Sequence, residues 1–291
     1  MILIEFPVIY GMQPRWRQSF FPWDKTRIQT VNENLMADDK TEPMAALNRE
    51  IQSCQNCRLH ETRRHAVCGE GSLDAALFLV GQAPGETEDN EGRMFIGRAG
   101  KLLDELLENA GIRRESIYMS NLVKCRLPGN REPRADEIAA CSPYLEQEIA
   151  LVAPKVIAPL GTHAARRLLQ QYGQPLPSNQ AFSSLFGRLV YTRGQRLLPL
   201  PHPAALLYQP ATKSRVSAQY RKLHVLLTTC RWYPVCPMKR YFEAGRLDGS
   251  WIALYCKGDW QSCIRYQMEE RGEDHPDWML PDGSIDDSLR R

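Results

Sequence analysis

The sequence predicts an α/β protein: a three-layer α/β/α arrangement around a short, mainly parallel four-stranded central sheet, with a small C-terminal appendage. Two observations carry this prediction. Short apolar runs alternate with amphipathic helical segments along most of the chain, a pattern typical of parallel strands joined by crossover helices. Residues 232–291 then become rich in Trp, Tyr, Cys and acidic residues. We therefore expect one α/β domain over residues 42–230 and an appendage over residues 231–291.

Four apolar runs are the predicted strands. They read AALFLVG, SIYMSNLV, PKVIAPLG and RLVYTRGQRLLPLPHP. They are short and mostly apolar, as expected for strands that are covered on both faces of a sheet. Ligands bind outside the carboxyl ends of such strands. The loops after Val80 and Val123, and the loop that contains His202, are therefore the expected site.

The predicted helices lie between these runs and after the last of them. They read RAGKLLDELLENAG, RADEIAACSPYLEQEIALV, THAARRLLQQYG and SRVSAQYRKLHVLLTT, with apolar residues three or four positions apart. A helical pattern also begins at Met44. Residues 1–41 carry Pro, Trp and Arg without periodicity, which indicates an N-terminal extension or a disordered arm, and Met36 begins a more ordinary protein start.

Composition narrows the class of protein. The chain has 291 residues, 43% of them hydrophobic, and a formal net charge of +3. No run reaches the ~18 apolar residues of a membrane-spanning helix, and the N-terminus lacks the order of a signal peptide, so we expect a cytoplasmic protein. So small a charge permits nucleic-acid binding without requiring it. In that compartment the nine cysteines are expected to be metal ligands or buried thiols, not disulfides.

Four cysteines have a spacing that suits a metal centre. Cys54 and Cys57 form a C-x-x-C pair, Cys125 lies at a predicted strand end, and Cys141 lies in a predicted helix. Four thiolates from such places can surround zinc or one [4Fe–4S] cluster, and the spacing leaves both open, together with the reading that the thiols are merely buried. The segment KCRLPGNREP surrounds Cys125 with basic side chains, which suits DNA phosphate better than a dry core.

Five segments, taken in order, resemble the family 4 uracil-DNA glycosylases, the iron–sulfur branch of that superfamily. They are CQNCRLHETR, GQAPGETEDNEGRMFIGRAGKLL, YMSNLVKCRLPGNREP, CSPYL and HPAALLYQP, between about Cys54 and Leu227. The resemblance implies a monomeric, nucleoid-associated enzyme of base excision repair. Such an enzyme flips uracil out of single- or double-stranded DNA and hydrolyses its N-glycosidic bond, leaving an abasic site. The implied cofactor is one [4Fe–4S] cluster on Cys54, Cys57, Cys125 and Cys141.

The segment GQAPG resembles the family's first catalytic motif. Its glycines, Gly81 and Gly85, let the backbone approach the sugar and uracil O2. The resemblance places Gln82 and Ala83 at catalytic positions. Ala83 stands where family 1 glycosylases carry a water-positioning aspartate, and Gln82 stands where this family more often has Glu. Without a carboxylate at Ala83, cleavage depends on stabilising the leaving group of an oxocarbenium-like transition state.

Four more residues match pocket positions of the family. Phe95 matches the aromatic on which uracil stacks, and Glu88 matches the residue that keeps the thymine methyl group out. Asn121 matches the amide that reads uracil N3–H and O4. His202 matches the histidine that donates to O2 as charge builds on the leaving base. The residue types also allow structural roles: a core plug for Phe95, a solvated loop for Glu88 and Asp89, and a turn for Asn121.

The same comparison implies a DNA interface beside the pocket. Leu206 or Leu207 would fill the stack that the base leaves, although a buried helix start explains both leucines equally well. The basic side chains expected to hold phosphates are Arg126, Arg131, Lys213 and Arg215.

Two alternatives to this enzyme remain. One is a non-catalytic, metal-stapled DNA-binding module on the same scaffold. The other is a relative that traps its product covalently, but the basic insertion with a nucleophilic histidine typical of that relative is missing after NLVKCRLPGN.

The appendage lies outside the resemblance. Its cysteines suggest a second metal site, but their spacings fit no known finger, so buried thiols are the favoured reading; they are Cys230, Cys236, Cys256 and Cys263. Its Trp and Tyr content indicates a small packed unit or a surface that docks a repair or replication partner.

Overall fold

A sheet with parallel strands at its centre organises the first part of the chain. The computed structural model describes residues 40–178, 182–192, 195–230 and 232–290. The N-terminal extension predicted over residues 1–41, with the start at Met36, lies outside these residues except for its last two. The strands are β1 (Glu70–Gly71), β2 (Leu77–Gly81), β3 (Tyr118–Asn121), β4 (Val156–Pro159), β5 (Val190–Tyr191) and β6 (Arg196–Leu197).

The sheet has six strands in the order β1-β3-β2-β4-β6-β5, and its four central strands are parallel. This confirms the predicted parallel sheet, but the antiparallel pairing of β1 and β5 at the two edges was not predicted. The predicted strand over residues 188–203 is a hairpin instead. Its two arms reverse direction because the Thr192 backbone N–H and hydroxyl both donate to the Gln195 carbonyl, at 2.9 and 2.8 Å.

Ten helices of the described residues surround or follow the sheet. They are α1 (Thr41–Ser53), α2 (Glu86–Glu91), α3 (Arg98–Glu108), α4 (Ala135–Val152), α5 (Gly161–Gln171), α6 (Ala205–Tyr208), α7 (Lys213–Thr228), α8 (Pro237–Glu243), α9 (Gly249–Trp251) and α10 (Ile264–Arg271). A π-helical turn, Ile252–Cys256, follows α9. Within the described ranges, every helix is too short or too polar to cross a membrane.

Both faces of the sheet are buried, as a parallel sheet requires. Phe78 and Val80 of β2 pack in one core with residues of α1, α4 and α5. Leu77 and Leu79 alternate with them along the strand and are equally buried, so they face the opposite side. Side chains of this size contribute about 1.5–3 kcal/mol each when fully buried. The alternation therefore fixes β2 in the centre and holds its carboxyl end in place.

The chain divides into two compact units, one ending at Tyr220 and one running from Arg221 to Arg291. The border between the units falls inside α7, ten residues before the border that composition predicted. Composition changes only after the end of this helix. The second unit has a small core of its own, which contains Met238, Leu247, Ile252, Cys256 and Leu289.

Candidate active site and cysteine cavity

The carboxyl ends of β2 and β3 bring three predicted pocket residues together. Gly81 and Asn121 are register partners at the last position of the two strands. A Cβ atom on Gly81 would overlap Oδ1 of Asn121 and would lie 3.0 Å from Cζ of Phe95. Gly81 therefore has no room for a side chain, and its absence leaves space for the Asn121 amide and the Phe95 ring to lie beside each other.

The Asn121 side chain is buried in this corner. It is 3% exposed, and its Nδ2 lies 3.4 Å from the sulfur of Met94. A thioether is a weak acceptor, so this contact leaves the amide with hydrogen-bonding capacity for a stronger partner. Asn121 is therefore a buried amide without a strong hydrogen-bond partner on Nδ2, and not an asparagine in solvent.

The loop that carries Phe95 has an unusual backbone. Phe95 has φ +49°, a left-handed conformation that bulky residues rarely adopt, and its side chain is 7% exposed. A Cβ on Gly100 would collide with the Phe95 carbonyl, so glycine lets the start of α3 pass close to this loop. Strained backbone of this kind is concentrated at binding sites. Phe95 is thus buried, but it lies at the strand-end corner described above.

Glu88 fixes the same loop. Its carboxylate accepts hydrogen bonds from the backbone N–H groups of Ile96 and Gly97, at 3.0 and 2.8 Å. Glu88 is 8% exposed and Asp89 is 3% exposed, so the alternative of a solvated acidic loop is wrong. Asp89 instead accepts from the backbone N–H groups of residues 64 and 65, at 3.0 and 3.3 Å. Both carboxylates are buried because helix α2 turns them towards backbone donors of neighbouring loops.

His202 approaches the corner from the segment after β6. Its ring centroid lies 6.1 Å from that of Phe95. Gly161, with φ +84°, lies beneath it: a Cβ there would be 3.1 Å from the His202 Cβ. The bridge between Leu160 and Leu200 continues the pairing of β4 and β6 and brings the two segments together. Sequence reasoning missed Gly161, although a glycine at a strand end is a signal for such a close approach.

The environment of His202 keeps its imidazole neutral. The ring retains some exposure, but burial lowers the pKa of His202 to about 4, against an opposing effect of the Glu88 carboxylate. The backbone N–H of Ala204 donates to Nδ1 at 3.2 Å. Because Nδ1 is then an acceptor, the proton of the neutral ring is on Nε2. His202 is therefore a hydrogen-bond donor through Nε2 at neutral pH.

The other residues of the GQAPG segment line the same strand end. The carbonyls of Gly81 and Gln82 accept from the backbone N–H groups of Leu122 and Val123, at 3.0 and 3.1 Å, so the pairing continues beyond β2 and β3. Ala83 packs partly buried against the core. Gly85 precedes α2, and a Cβ there would lie 2.6 Å from Oε2 of Glu88. The GQAPG segment is thus held by backbone hydrogen bonds to the residues after β3 and lies against the Glu88 carboxylate at its other end.

The predicted DNA-contacting residues differ in how free they are. Arg131 donates to both carboxylate oxygens of Glu137, at 2.8 and 2.6 Å, and Glu137 in turn caps α4 by accepting from the Arg134 backbone N–H at 2.8 Å. Arg126 lies 3.5 Å from Glu86, and Lys213 lies 2.6 Å from Glu105. Arg215 is exposed on α7.

The two predicted wedge leucines lie on α6. Leu206 is 5% exposed, whereas Leu207 is partly exposed. The next residue, Tyr208, was not predicted, yet it is 84% exposed, the largest value among the large hydrophobic side chains of the described residues. Leu206 therefore belongs to the packed interior, and the outward side chains of this helix are Leu207 and Tyr208.

The cysteines of the first set surround one cavity. Cys54, Cys57, Cys125 and Cys141 all belong to its lining. Arg63, which lies six residues after Cys57 and was not predicted, donates from Nη1 to the Cys125 sulfur at 3.1 Å. The Asn56 backbone N–H donates to the Cys54 sulfur at 3.5 Å. N–H donors to sulfur are the contacts that iron–sulfur clusters use, so the cavity suits such a group. In the described part of the chain, no group of three or more His, Cys, Asp or Glu has the geometry to hold a single metal ion.

A buried ionic network connects this cavity to the strand that carries Asn121. Lys124 lines the cavity, is 1% exposed, and donates to Glu148 at 2.6 Å and to the Asn121 carbonyl at 3.1 Å. Ser120 donates to the same oxygen of Glu148 at 2.6 Å. Lys124 therefore fixes the carboxyl end of β3 through the Asn121 carbonyl. The sequence predicted a basic loop here, since the burial of Lys124 beside Glu148 depends on tertiary packing.

Comparison with known proteins agrees with this geometry. Residues 68–224 match the uracil DNA glycosylase superfamily. A type-4 uracil-DNA glycosylase of Sulfurisphaera tokodaii is 38% identical over 207 residues, which is 70% of this chain and 92% of the relative. A type-4 uracil-DNA glycosylase of Saccharolobus solfataricus is 40% identical over 182 residues, 62% of this chain and 84% of the relative. One of Thermotoga maritima is 38% identical over 177 residues, 60% of this chain and 89% of the relative. The chain belongs to the uracil-DNA glycosylase superfamily and, within it, to the type-4 group.

Proposed function

We propose that this protein excises uracil from DNA by hydrolysing the N-glycosidic bond, as the first step of a repair reaction. One observation carries the proposal: Asn121 and Phe95 meet beside Gly81 at the carboxyl end of the parallel sheet, and the His202 ring lies 6.1 Å from the Phe95 ring. These are an amide, an aromatic face and a neutral imidazole donor. Together they match what a flipped uracil offers: a donor–acceptor edge, a flat ring and an oxygen on which charge builds.

Base recognition falls to Asn121 and Phe95. The amide accepts from uracil N3–H and donates to O4, whereas cytosine presents the inverted pattern at these two positions. The Phe95 ring offers a face for stacking. Glu88 acts indirectly in this reading, because its two backbone hydrogen bonds hold the loop after Phe95 in place. In this position it limits the room on that side of the base, which is how it would exclude the methyl group of thymine.

Leaving-group stabilisation falls to His202. As the glycosidic bond breaks, negative charge builds on uracil O2, and a preorganised donor lowers the energy of that charge. The Ala204 N–H holds Nδ1, so Nε2–H is the group that is free to donate. A neutral donor gives up no proton in this step. The departing uracil anion leaves an oxocarbenium-like sugar, and water attacks it. Gln82 and Ala83, at the matching motif positions, supply no carboxylate base.

The first cysteine cavity would hold one [4Fe–4S] cluster on Cys54, Cys57, Cys125 and Cys141. Such a cluster supplies a covalent link between the segment after α1, the end of β3 and helix α4. Arg63 donates to one of the sulfurs, and Lys124 connects the cavity wall to Asn121. The cluster is in this reading a structural element that orders the basic loop towards DNA.

The DNA interface includes Lys213, Arg215 and Arg126 for phosphates, with Leu207 and Tyr208 as the outward side chains near the pocket. Their charge and exposure support this role. Arg131 orders the loop through Glu137 and contributes to the interface through the position of that loop.

The test is strand scission at a single deoxyuridine. A labelled oligonucleotide with one deoxyuridine is incubated with the protein and then treated with alkali, beside a thymine control. We expect scission at uracil only, lost in His202→Ala by about 10²–10³-fold, the cost of removing one preorganised donor. His224→Ala is the matched control, because His224 is exposed on α7.

The alternative is a non-catalytic DNA-binding module on this scaffold. Retained binding of the uracil oligonucleotide without scission, by the wild-type protein loaded with iron, would favour the module. Equal scission by the wild type and His202→Ala would keep the enzyme and remove His202 from the reaction.

A further inference from the structure

The second unit brings four cysteines to one cavity. Its lining includes Cys230, Cys236, Cys256 and Cys263. Each lies at the end of a local element: Cys230 after α7, Cys236 before α8, Cys256 at the end of the π-helical turn, and Cys263 before α10. They are separated by up to 33 residues in sequence, so their convergence is a product of the fold of this unit.

Backbone donors point at two of these sulfurs. The backbone N–H groups of Trp232 and Tyr233 donate to the sulfur of Cys230. The backbone N–H groups of Arg265 and Tyr266 donate to the sulfur of Cys263. In both cases the donors lie two and three residues after the cysteine. The N–H of Asn56 stands in the same relation to Cys54 in the first cavity.

The four thiols are also close enough to affect one another, since Cys236, Cys230 and Cys263 each act electrostatically on Cys256. Three of the four are buried and Cys236 is partly buried, and they form no disulfide in the structure. As free thiols they gain little from this proximity, whereas as thiolates around a cationic group each would be compensated.

One further polar group of the lining lacks a hydrogen-bond partner among the described residues. Nε of Arg265 is buried and unpartnered. The residue is 3% exposed, and its Nη1 donates to the carbonyls of Pro276 and Met279, both at 2.8 Å. An orphaned donor in a buried wall costs free energy unless something in the cavity accepts from it. Sulfide and thiolate sulfur are such acceptors.

The size of the unit supplies a reason for a covalent staple. Among the described residues, five buried ones form its hydrophobic cluster, with partly buried residues packed against them. Its pairing outside helices and turns, in the described residues, is one isolated bridge between Met279 and Ile285. Units of ~70 residues rarely gain enough from such a core and are often stabilised by a metal.

We propose that Cys230, Cys236, Cys256 and Cys263 hold a second iron–sulfur cluster, which staples the C-terminal unit. The first cavity provides the internal comparison: four thiols from separate elements line it, with N–H or guanidinium donors at the sulfurs. Each cavity also has an arginine in its lining, Arg63 in the first and Arg265 in the second. The favoured reading from the sequence, buried thiols alone, treated the spacing as uninformative because it fits no known finger. The fold brings the four together regardless of spacing.

The test is metal and sulfide content of the full chain, purified without oxygen and reconstituted with iron and sulfide. We expect about eight irons and about eight sulfides per chain, and about four of each in the double variant Cys236→Ser/Cys263→Ser. The matched control is Cys68→Ser, since Cys68 is the ninth cysteine and belongs to neither set. It should keep about eight irons. A reciprocal variant, Cys54→Ser/Cys57→Ser, should keep the four irons of the second cavity.

Every outcome decides the matter. About four irons per chain with one zinc that the Cys236/Cys263 variant loses would overturn the iron–sulfur assignment in favour of zinc. About four irons and no zinc, in both the wild type and that variant, would overturn the metal site altogether. Circular dichroism of each variant shows whether a lost cluster reflects lost ligands or a lost fold. Uracil excision is scored separately, so failure of the second cluster leaves the glycosylase proposal standing or falling by its own assay.

Discussion

Replacing His202 by Gln should change how the stability of the protein depends on pH. Burial lowers the pKa of His202 from 6.5 to about 4. Between these pH values His202 is protonated in the unfolded chain and neutral in the folded chain. The free energy of unfolding therefore falls as pH decreases from 6.5 towards 4. At pH 5 the loss relative to pH 8 is about 2 kcal/mol, since one pKa unit is worth ~1.4 kcal/mol. Gln has no such proton, and the variant should escape this loss.

The assay is thermal unfolding of the wild type, His202→Gln and His224→Gln at pH 8 and pH 5, at constant ionic strength. A difference of about 2 kcal/mol corresponds to roughly 4–8 °C in Tm for a protein of this size. The wild type and the His224 variant should therefore lose about that much more than His202→Gln on acidification. Any cluster is common to all three proteins and cancels in the comparison. Equal losses in all three would refute the buried, neutral imidazole and with it the assigned donor.

Three further substitutions test the site and its support. Gly81→Ala places a methyl group against Oδ1 of Asn121. We expect kcat/KM on uracil DNA to fall about 10- to 100-fold, because a displaced base contact costs ~1–3 kcal/mol, while the affinity for undamaged DNA stays unchanged. A variant with the kcat/KM of the wild type would contradict this prediction. Asn121→Asp removes the amide donor, so uracil excision should fall and discrimination against cytosine should weaken, and an unchanged uracil-to-cytosine ratio would exclude Asn121 from the pocket. Lys124→Met leaves the buried Glu148 carboxylate without its cation and should lower the free energy of unfolding by about 3–5 kcal/mol, as measured with denaturant. Adding Glu148→Gln to the same chain should recover part of that loss. A Lys124→Met protein as stable as the wild type would count against the network.

Local pattern was enough for the parallel sheet. β2, β3 and β4 are runs of apolar residues with glycine or polar residues at their ends, and alternation with amphipathic helices leaves few other arrangements. Edge strands β1 and β5 have two residues each. Such short strands form because the neighbouring strand has unpaired backbone N–H and C=O groups. Two residues are too few to show the alternating hydrophobic pattern that predicts a strand. The solvated reading of Glu88 failed for a similar reason: a charge pair in a loop is polar by composition, but its burial depends on which backbone donors the fold brings near.

The sequence by itself determined the family, the order of the motifs and the residue types of the pocket, because strand ends, glycines and the cysteine pair are local features. Only the tertiary structure decided which of these residues act on one another. Gly81 meets Asn121 and Phe95 through strand register, His202 reaches them because β6 pairs beyond β4, and Arg131 is directed to Glu137. The second set of cysteines shows the difference most clearly. Their spacing matched nothing local, yet helix ends and turns bring all four to one cavity, because contact between distant residues is a property of packing and not of sequence distance.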